Sequence, residues 1–163
     1  MQKIIIREML PGEIEKIIEI ALAAWQPIYA SYRQILGEEL YAALHPDWQH
    51  AKSNEVRKAC MPESGIMVFV LENGERIAGF ITFSIDDASK IGLIGNNAIH
   101  PDFQRMGLGK KMYQYVLDEF KKLGMIYAKV LTGGDPAHAP ARKAYEKMGF
   151  SIRMENCIYF RKL

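Results

Sequence analysis

Three β-rich runs in the middle of the chain constrain its fold more than any other feature of the sequence. They cover residues 66–71, 76–83 and 91–99, and a four-residue Glu-Asn-Gly-Glu turn separates the first two. Asn-Gly favours the positive φ angles of tight hairpins, so these two runs predict a β-hairpin. The short polar turn at 86–90 leads into the third run. The middle of the chain is therefore predicted to form an antiparallel meander.

Helix and strand patterns alternate after the meander. An apolar helical face begins near Gly107 and stops at Gly124, a strand is predicted at 126–131, and a shorter helix stops at Gly149. The tail at 156–163 has the alternation of a last strand. This order predicts an α+β fold with three α/β/α layers. Its mixed, mostly antiparallel central sheet should have about six or seven strands.

The region before residue 65 has mainly helical patterns. A short strand at 4–7 comes first, and Pro27 is expected to interrupt the helix that follows. A second helix is predicted before Pro46, and Asp47 is an N-cap for a third. The apolar positions that define the first helix are Ile14, Ile17, Ile18, Ala21, Leu22 and Trp25.

Composition excludes several classes of protein. The 21 Lys and Arg residues against 19 Asp and Glu leave a net charge of +2, without a run of five like charges, so no nucleic-acid partner is expected. No apolar run reaches the roughly 20 residues of a membrane-spanning helix, and we expect neither a leader nor a membrane partner. Two cysteines without a CxxC pair favour a cytoplasmic protein. His45 and His50 are not spaced as zinc ligands, so no metal is expected.

The segment at 97–111 carries most of the functional information. It joins the third β run to a helix, and Gly107 and Gly109 let an anion approach the backbone closely. Unpaired N–H groups at the helix start, with Arg105 and Lys110 nearby, favour a phosphate group. The glycine spacing fits neither a dinucleotide fingerprint nor a nucleotide P-loop. The segment is therefore predicted to bind a pyrophosphate by another arrangement.

Two linked motifs give the chain a resemblance to a known family. Residues 104–109 read Gln-Arg-Met-Gly-Leu-Gly, which matches Q-x-x-G-x-G, and residues 141–150 match A-x-x-x-Y-x-x-x-G-F. In this order and at this separation they resemble the GNAT superfamily of N-acetyltransferases. The resemblance implies a GNAT-like acyl-CoA N-acyltransferase fold in a single domain, 1–163. Within it, 65–163 would be the cofactor-binding core and 1–64 the variable helical region on the acceptor side.

The resemblance also implies where acetyl-coenzyme A would bind. The loop at 104–110 would hold the pyrophosphate, and the end of the third β run would pair with the pantetheine arm beside a splayed neighbouring strand. His138 stands where relatives often carry an asparagine that bonds the pantetheine, and its alternative interpretation is a solvent-exposed loop histidine. The implied cofactor-binding residues are Ala98, Ile99, Gln104, Arg105, Met106, Gly107, Leu108, Gly109, Lys110, His138 and Ala141.

Tyr145 matches the tyrosine of the second motif, so the resemblance implies that it donates to the departing thiolate. Its alternative interpretation is a core aromatic on an amphipathic helix. Many relatives place a carboxylate on the strand before the loop, whereas residues 94–97 here carry no titrating group. The candidates for a general base remain open, and they are Asp135, His138, Asp86 and Glu38.

These observations predict an N-acetyltransferase that transfers an acetyl group directly to a primary amine of a small molecule or peptide. A covalent intermediate is not expected, because neither Cys60 nor Cys157 falls near the predicted notch. One alternative is a non-catalytic acyl-CoA-binding or sensing module with the same fold. Another is a nucleotide-phosphate enzyme of a different fold.

An aromatic group lies in the N-terminal region. Its expected roles are core packing and a homodimer surface, and the alternative is the wall of an acceptor pocket. Its members are Trp25, Tyr29, Tyr32, Tyr41 and Trp48.

Overall fold

A five-stranded sheet is the centre of the computed structural model, which describes residues 3–163. The strands are β1 (Ile4–Glu8), β2 (Met67–Asn73), β3 (Arg76–Asp86), β4 (Ile91–Ile99) and β5 (Tyr127–Val130). They lie in chain order, the first four antiparallel and β5 parallel to β4. The predicted meander and the mixed, mostly antiparallel sheet are confirmed.

The predicted number of strands and the predicted last strand are wrong. Within residues 3–163 the sheet has five strands rather than six or seven, and 151–163 form neither helix nor strand. Alternating side chains permit a strand, but a strand also needs a neighbouring backbone to pair with. The tail runs elsewhere, and Lys162 Nζ bonds both carboxylate oxygens of Glu39 at 2.8 Å.

Helices cover both faces of the sheet. On one face lie α1 (Ile14–Leu44) and α2 (Trp48–Ala59), and on the other lie α3 (Leu108–Lys122) and α4 (Ala139–Lys147). Side chains along β2 alternate between the two layers, since residues 68 and 70 pack with α1 whereas 69 and 71 pack with α3. The predicted three-layer arrangement therefore has two apolar cores. Short 3₁₀ turns lie at Pro11–Glu13, Pro62–Ser64, Pro101–Phe103 and Pro136–His138.

The first long helix continues through Pro27, which corrects the predicted break there. The interruption lies further on at Gly37, whose φ of 75° and ψ of 162° are not helical. A proline inside a helix removes one hydrogen bond without necessarily ending the helix, because flanking turns still pack on the sheet. The uninterrupted stretch carries Ser31 over the loop that follows β5, where its hydroxyl bonds Asp135.

The predicted starting points of α2 and α3 agree with the structure. Asp47 caps α2, because its Oδ1 accepts a hydrogen bond of 3.0 Å from the backbone N–H of His50. Gly107 precedes α3, and its φ of 75° is in the left-handed region that favours glycine. No helix in the described part of the chain is long and apolar enough to cross a membrane.

Candidate functional site

β4 and β5 separate halfway along β4. Their ladder joins residues 91–94 to 127–130 and then stops, while β4 continues to Ile99. Beyond residue 94, no strand of the described chain pairs with the side of β4 that faces away from β3. We call this gap the β4–β5 opening. It lies where the sequence resemblance implies a splayed pair of strands.

A β-bulge in β4 lies at the same place. Gly95 and Asn96 together stand opposite Thr82 of β3, so the alternation of side chains shifts by one residue. As a result Asn96 bonds side chains of α2, whereas Asn97 bonds side chains of α3 and α4. Ile94 faces α3, so a regular strand would turn Asn96 to that side, and the bulge turns Asn97 there instead.

Asn97 connects the predicted catalytic tyrosine to the opening. Its Nδ2 donates to the Tyr145 hydroxyl oxygen at 3.4 Å, and its Oδ1 accepts from the Tyr113 hydroxyl at 2.6 Å. Tyr145 is 7% exposed. Burial and the nearby Tyr145 phenol raise the pKa of Tyr113, which therefore remains a neutral donor. Because the Tyr145 oxygen accepts the bond from Asn97, its own O–H proton is left for another acceptor.

The loop between β4 and α3 presents its backbone to solvent. Gln104 is tied to the end of β4 by a 3.1 Å bond from its Nε2 to the carbonyl oxygen of Ile99. Arg105 has a φ of 62°, Met106 is 56% exposed, and Leu108 is only 2% exposed. Leu108 thus anchors the loop in the core with its side chain and leaves only its backbone to the predicted phosphate site.

The start of α3 has unpaired donors and cations. The first i→i−4 bond of the helix runs from Lys111 N to Gly107 O at 3.4 Å, so three N–H groups precede it. Arg105, Lys110 and Lys111 are exposed, and none forms an ion pair with an acidic side chain within residues 3–163. This end of the helix is suited to a multiply charged anion.

The other predicted contacts lie along β4 and α4. Ala98 is 8% exposed, packs in the core beneath α1 and pairs with Phe80 of β3, so its methyl group does not face the opening. Ala141 is partly buried against the α3 side of the sheet together with Tyr145. Gly109 lies close to β4, since an added Cβ there would be 3.9 Å from Ile99.

His138 is part of a hydrogen-bonded group after β5. Its Nδ1 bonds Asp135 Oδ1, and the other carboxylate oxygen accepts 3.1 Å bonds from the Ser31 hydroxyl and the Ala137 N–H. The side chains of His138 and Asp135 are 14% and 8% exposed, so the interpretation of His138 as a solvent-exposed loop residue is wrong. Burial raises the pKa of Asp135, but the bonds from His138, Ser31 and Ala137 outweigh it and hold that pKa below its usual value.

The backbone of this loop is fixed from α4. Arg142 Nη1 donates to the carbonyl oxygens of Gly133 and Asp135 at 2.6 and 2.8 Å. A Cβ on Gly133 would overlap the His138 ring and the Asp135 carboxylate. Because Gly133 has no side chain, the side chains of His138 and Asp135 have room to bond each other beside its backbone.

Four rings from α1, α2 and the turn between them continue this group, and we call them the aromatic ledge. Tyr29 stacks on Trp48 at 4.2 Å between ring centroids, and Tyr32 stacks on His45 at 5.7 Å. Tyr32 also lies 6.1 Å from the His138 ring. The ledge is partly exposed and joins α1 and α2 to the loop after β5. The homodimer surface that the sequence suggested for these rings stays a prediction.

Sequence reasoning missed a polar group on α2 beside the opening. Lys52 is 6% exposed and bonds Glu55 Oε2 at 2.8 Å and Asn96 Oδ1 at 3.2 Å, while Asn96 Nδ2 bonds Glu55 Oε1 at 2.9 Å. Burial raises the pKa of Glu55, but the bonds from Lys52 and Asn96 outweigh it and lower the pKa. The only sequence signal was an i, i+3 pair of opposite charge, which is common on exposed helices.

The remaining candidates from the sequence lie away from the opening. Asp86 pairs with Ile91 at the far end of β4 and caps its own turn through Ser89. Glu38 is exposed and lies 3.5 Å from Arg33. Cys60 is buried in the core, and Cys157 is in the exposed tail. Across residues 3–163 no three His, Cys, Asp or Glu residues are grouped closely enough to hold a metal.

Comparison with known proteins identifies similar chains. The model of the Acetyltransferase (GNAT) family matches residues 24–150. The [ribosomal protein bS18]-alanine N-acetyltransferase of Escherichia coli K12 is 32% identical over 80 residues, which are 49% of this chain and 51% of that enzyme. The chain thus spans about half the length of the curated relatives that it matches.

Solved structures share the fold at low sequence identity. The PaiA N-acetyltransferase of Thermoplasma acidophilum in complex with coenzyme A has a TM-score of 0.70 and 19% identity over 94% of this chain and 93% of its own. The aminoglycoside N-acetyltransferase AAC(6')-Iy in complex with CoA has a TM-score of 0.67 and 18% identity over 99% and 96%.

Proposed function

Because the chain belongs to the GNAT acetyltransferase family, we propose that it transfers the acetyl group of acetyl-CoA directly to a primary amine of a small molecule or peptide. One observation carries this proposal. The β4–β5 opening, the Tyr145 hydroxyl and the exposed start of α3 follow one another along a single edge of β4.

The residues at the opening fit a coenzyme A thioester. The N–H groups that begin α3, with Arg105 and Lys110, would hold the pyrophosphate. The side of β4 that faces away from β3 near Ala98 and Ile99 has no paired strand within residues 3–163, so this edge offers ladder bonds to the amides of a pantetheine arm. When bound, the cofactor supplies an acetyl group activated as a thioester.

Tyr145 would donate to the sulfur as it leaves. A phenol titrates near pH 10 and a thiol near 8.5, so complete proton transfer to a free thiolate is uphill by about 2 kcal/mol. A hydrogen bond to the sulfur as negative charge develops avoids most of that cost. Asn97 fixes the phenol for this role, since it bonds the Tyr145 oxygen and takes its own bond from Tyr113.

The acceptor amine would approach from the α1 and α2 side. There the partly exposed rings of the aromatic ledge offer cation–π contacts to a cationic amine, and Glu55 lies beside Asn96 at the opening. The relatives are named for different amines, an alanine of a ribosomal protein and an aminoglycoside. Both acceptors are amines, and we therefore propose an amine as the acceptor of this chain. The assay below tests individual amines.

An acetylation assay tests the proposal. Purified protein with acetyl-CoA is offered three amines, a peptide beginning with alanine, the aminoglycoside neamine and spermidine, and the release of coenzyme A thiol is followed. We expect turnover with at least one amine and a mass gain of one acetyl group on it. Binding of acetyl-CoA without turnover of any amine would instead support a non-catalytic acyl-CoA sensor.

A charge prediction tests the assigned phosphate site. Replacing Arg105 or Lys110 with Ala should weaken acetyl-CoA binding roughly three- to ten-fold each, because each removes one exposed cation beside the phosphates. The effect should shrink in high salt, which screens exposed charges. Titration calorimetry at two salt concentrations measures it. Lys58→Ala, which removes an exposed lysine of α2, is the matched control and should bind acetyl-CoA like the unmodified chain.

A further inference from the structure

The acceptor amine has to lose protons before the reaction is complete. A lysine-like amine titrates near pH 10.4, so only about one part in a thousand is neutral at pH 7. An acceptor of protons next to the opening would raise that fraction, and residues 94–97 of β4 offer no titrating side chain. The proton acceptor must therefore lie on another element.

We propose that His138, oriented by Asp135, is the base that takes the proton from the acceptor amine. This inference rests on the proposed acetyltransferase function. The Asp135 carboxylate holds Nδ1 of the ring, Ser31 holds that carboxylate from α1, and Arg142 holds the backbone of the loop from α4. A ring that is 14% exposed and fixed from three elements is built for a defined orientation.

The hydrogen bond to Asp135 also selects the tautomer. An ionised carboxylate only accepts hydrogen bonds, so the neutral ring carries its proton on Nδ1. The lone pair of Nε2 is then available, and no side chain or backbone group within residues 3–163 bonds that atom. This is the arrangement by which a carboxylate prepares a histidine to take a proton.

The position of His138 relative to Tyr145 suits two separate proton transfers. His138 ends the 3₁₀ turn that leads into α4, and Tyr145 lies seven positions later within that helix, which separates them by roughly 10 Å along the helix axis. Tyr145 faces the opening through Asn97, and His138 faces Tyr32 of the aromatic ledge. The donor to sulfur and the acceptor from nitrogen are thus at different ends of one surface.

The protons and electrons balance in this scheme. The ammonium gives one proton to His138 Nε2, which passes it to solvent. The lone pair of the nitrogen forms the C–N bond to the acetyl carbon, and the electron pair of the C–S bond leaves with the sulfur. The nitrogen loses its second proton to solvent, and the sulfur gains one from the Tyr145 hydroxyl, which takes a proton back from solvent. The net products are an amide, a thiol and one proton.

Glu55 is the nearest competing candidate, and its bonds argue against it. Both carboxylate oxygens of Glu55 are engaged, one by Lys52 and one by Asn96, and its pKa is lowered. A carboxylate stabilised in its charged form takes up protons poorly at neutral pH. An imidazole, in contrast, exchanges protons between pH 5 and 8.

Steady-state kinetics of His138→Asn test the proposal. The acceptor is whichever of the three assayed amines the unmodified chain acetylates. Asparagine offers Asp135 an N–H in place of Nδ1–H but cannot take up a proton. We expect kcat to fall at least ten-fold at pH 7.5, with unchanged calorimetric affinity for acetyl-CoA. His50→Asn, on the exposed start of α2, is the matched control and should keep full turnover.

The pH profile separates a base from a structural residue. Between pH 5 and 9, deprotonation of the acceptor amine changes kcat/KM equally in both enzymes. The kcat/KM of the unmodified chain divided by that of His138→Asn therefore reports the contribution of the His138 ring. We expect this ratio to become smaller as the pH is lowered toward 5. A constant ratio would overturn the role as a base, as would an unchanged kcat. Asp135 bonds the ring, and the Tyr32 ring lies 6.1 Å from it. The next charged or titratable groups are His45, which stacks on Tyr32, and Arg142, which bonds the backbone of the loop.

A spectroscopic measurement supplies a readout besides activity. The chain has 4 histidines, and the spectrum of His138→Asn identifies the signals of this one. We expect ¹⁵N shifts of a ring protonated at Nδ1 in the neutral form, and Nε2–H would overturn the assigned orientation. If the unmodified chain neither binds acetyl-CoA nor acetylates any panel amine, the proposed function itself fails. Normal turnover and binding in His138→Asn would remove only this inference.

Discussion

Replacing Tyr145 with Phe is expected to lower kcat ten-fold or more, while the affinity for acetyl-CoA stays within two-fold. A ten-fold loss corresponds to about 1.4 kcal/mol of transition-state stabilisation, which is within reach of one hydrogen bond to a developing charge. The ring packing should survive, because Phe keeps the edge contacts with Tyr113 at 5.3 Å and Phe150 at 5.8 Å. Asn97 keeps a partner too, since its Nδ2 also donates to Gly95 O at 2.9 Å.

The matched control is Tyr115→Phe on α3. This hydroxyl belongs to a partly buried ring that packs on Phe69 at 5.4 Å, away from the opening. Steady-state kinetics and calorimetric titration of both variants complete the comparison. Equal turnover in the unmodified chain and Tyr145→Phe would contradict the donor role. It would support the alternative interpretation, in which Tyr145 only packs in the core.

Phe80→Ala is expected to lower the free energy of unfolding by about 3–5 kcal/mol, the usual cost of emptying a fully buried phenylalanine site. Phe80 is 0% exposed and packs beneath α1 together with Ile17, Val70 and Ala98. Ala98 is its partner across the β3–β4 ladder, so this part of the core supports the β4 edge at the opening. Urea denaturation monitored by circular dichroism measures the change.

Phe160→Ala makes the same chemical change in the tail. Phe160 is 52% exposed, and surface substitutions of this kind usually change stability by less than about 0.5 kcal/mol. A loss below about 1 kcal/mol for Phe80→Ala would contradict the packing of α1 on β3. An effect at Phe160 as large as that at Phe80 would show that the tail is packed in solution.

The parts of the fold predicted correctly depend on local signals. Asn-Gly placed the hairpin, Asp47 placed the start of α2, and Gly107 placed the start of α3, because each acts on its own few residues of backbone. The two motifs also act over short, fixed spacings, and the roles that they imply for the loop at 104–110 and for Tyr145 stay predictions.

The errors and omissions come from contacts between distant segments. The tail at 151–163 alternates like a strand, yet whether it finds an edge depends on the rest of the sheet. Pro27 was expected to end a helix that packing on the sheet carries further. Ser31 and Asp135 are 104 residues apart and Asn96 and Glu55 are 41 apart, and no local pattern brings such pairs together.

The central claim is that the β4–β5 opening and the start of α3 form an acetyl-CoA site. Calorimetric titration of the purified chain with acetyl-CoA tests it most directly. We expect one site with a micromolar dissociation constant, a raised melting temperature, and competition by free coenzyme A but not by ATP or NAD. Binding no tighter than millimolar, without thermal protection, would contradict the account.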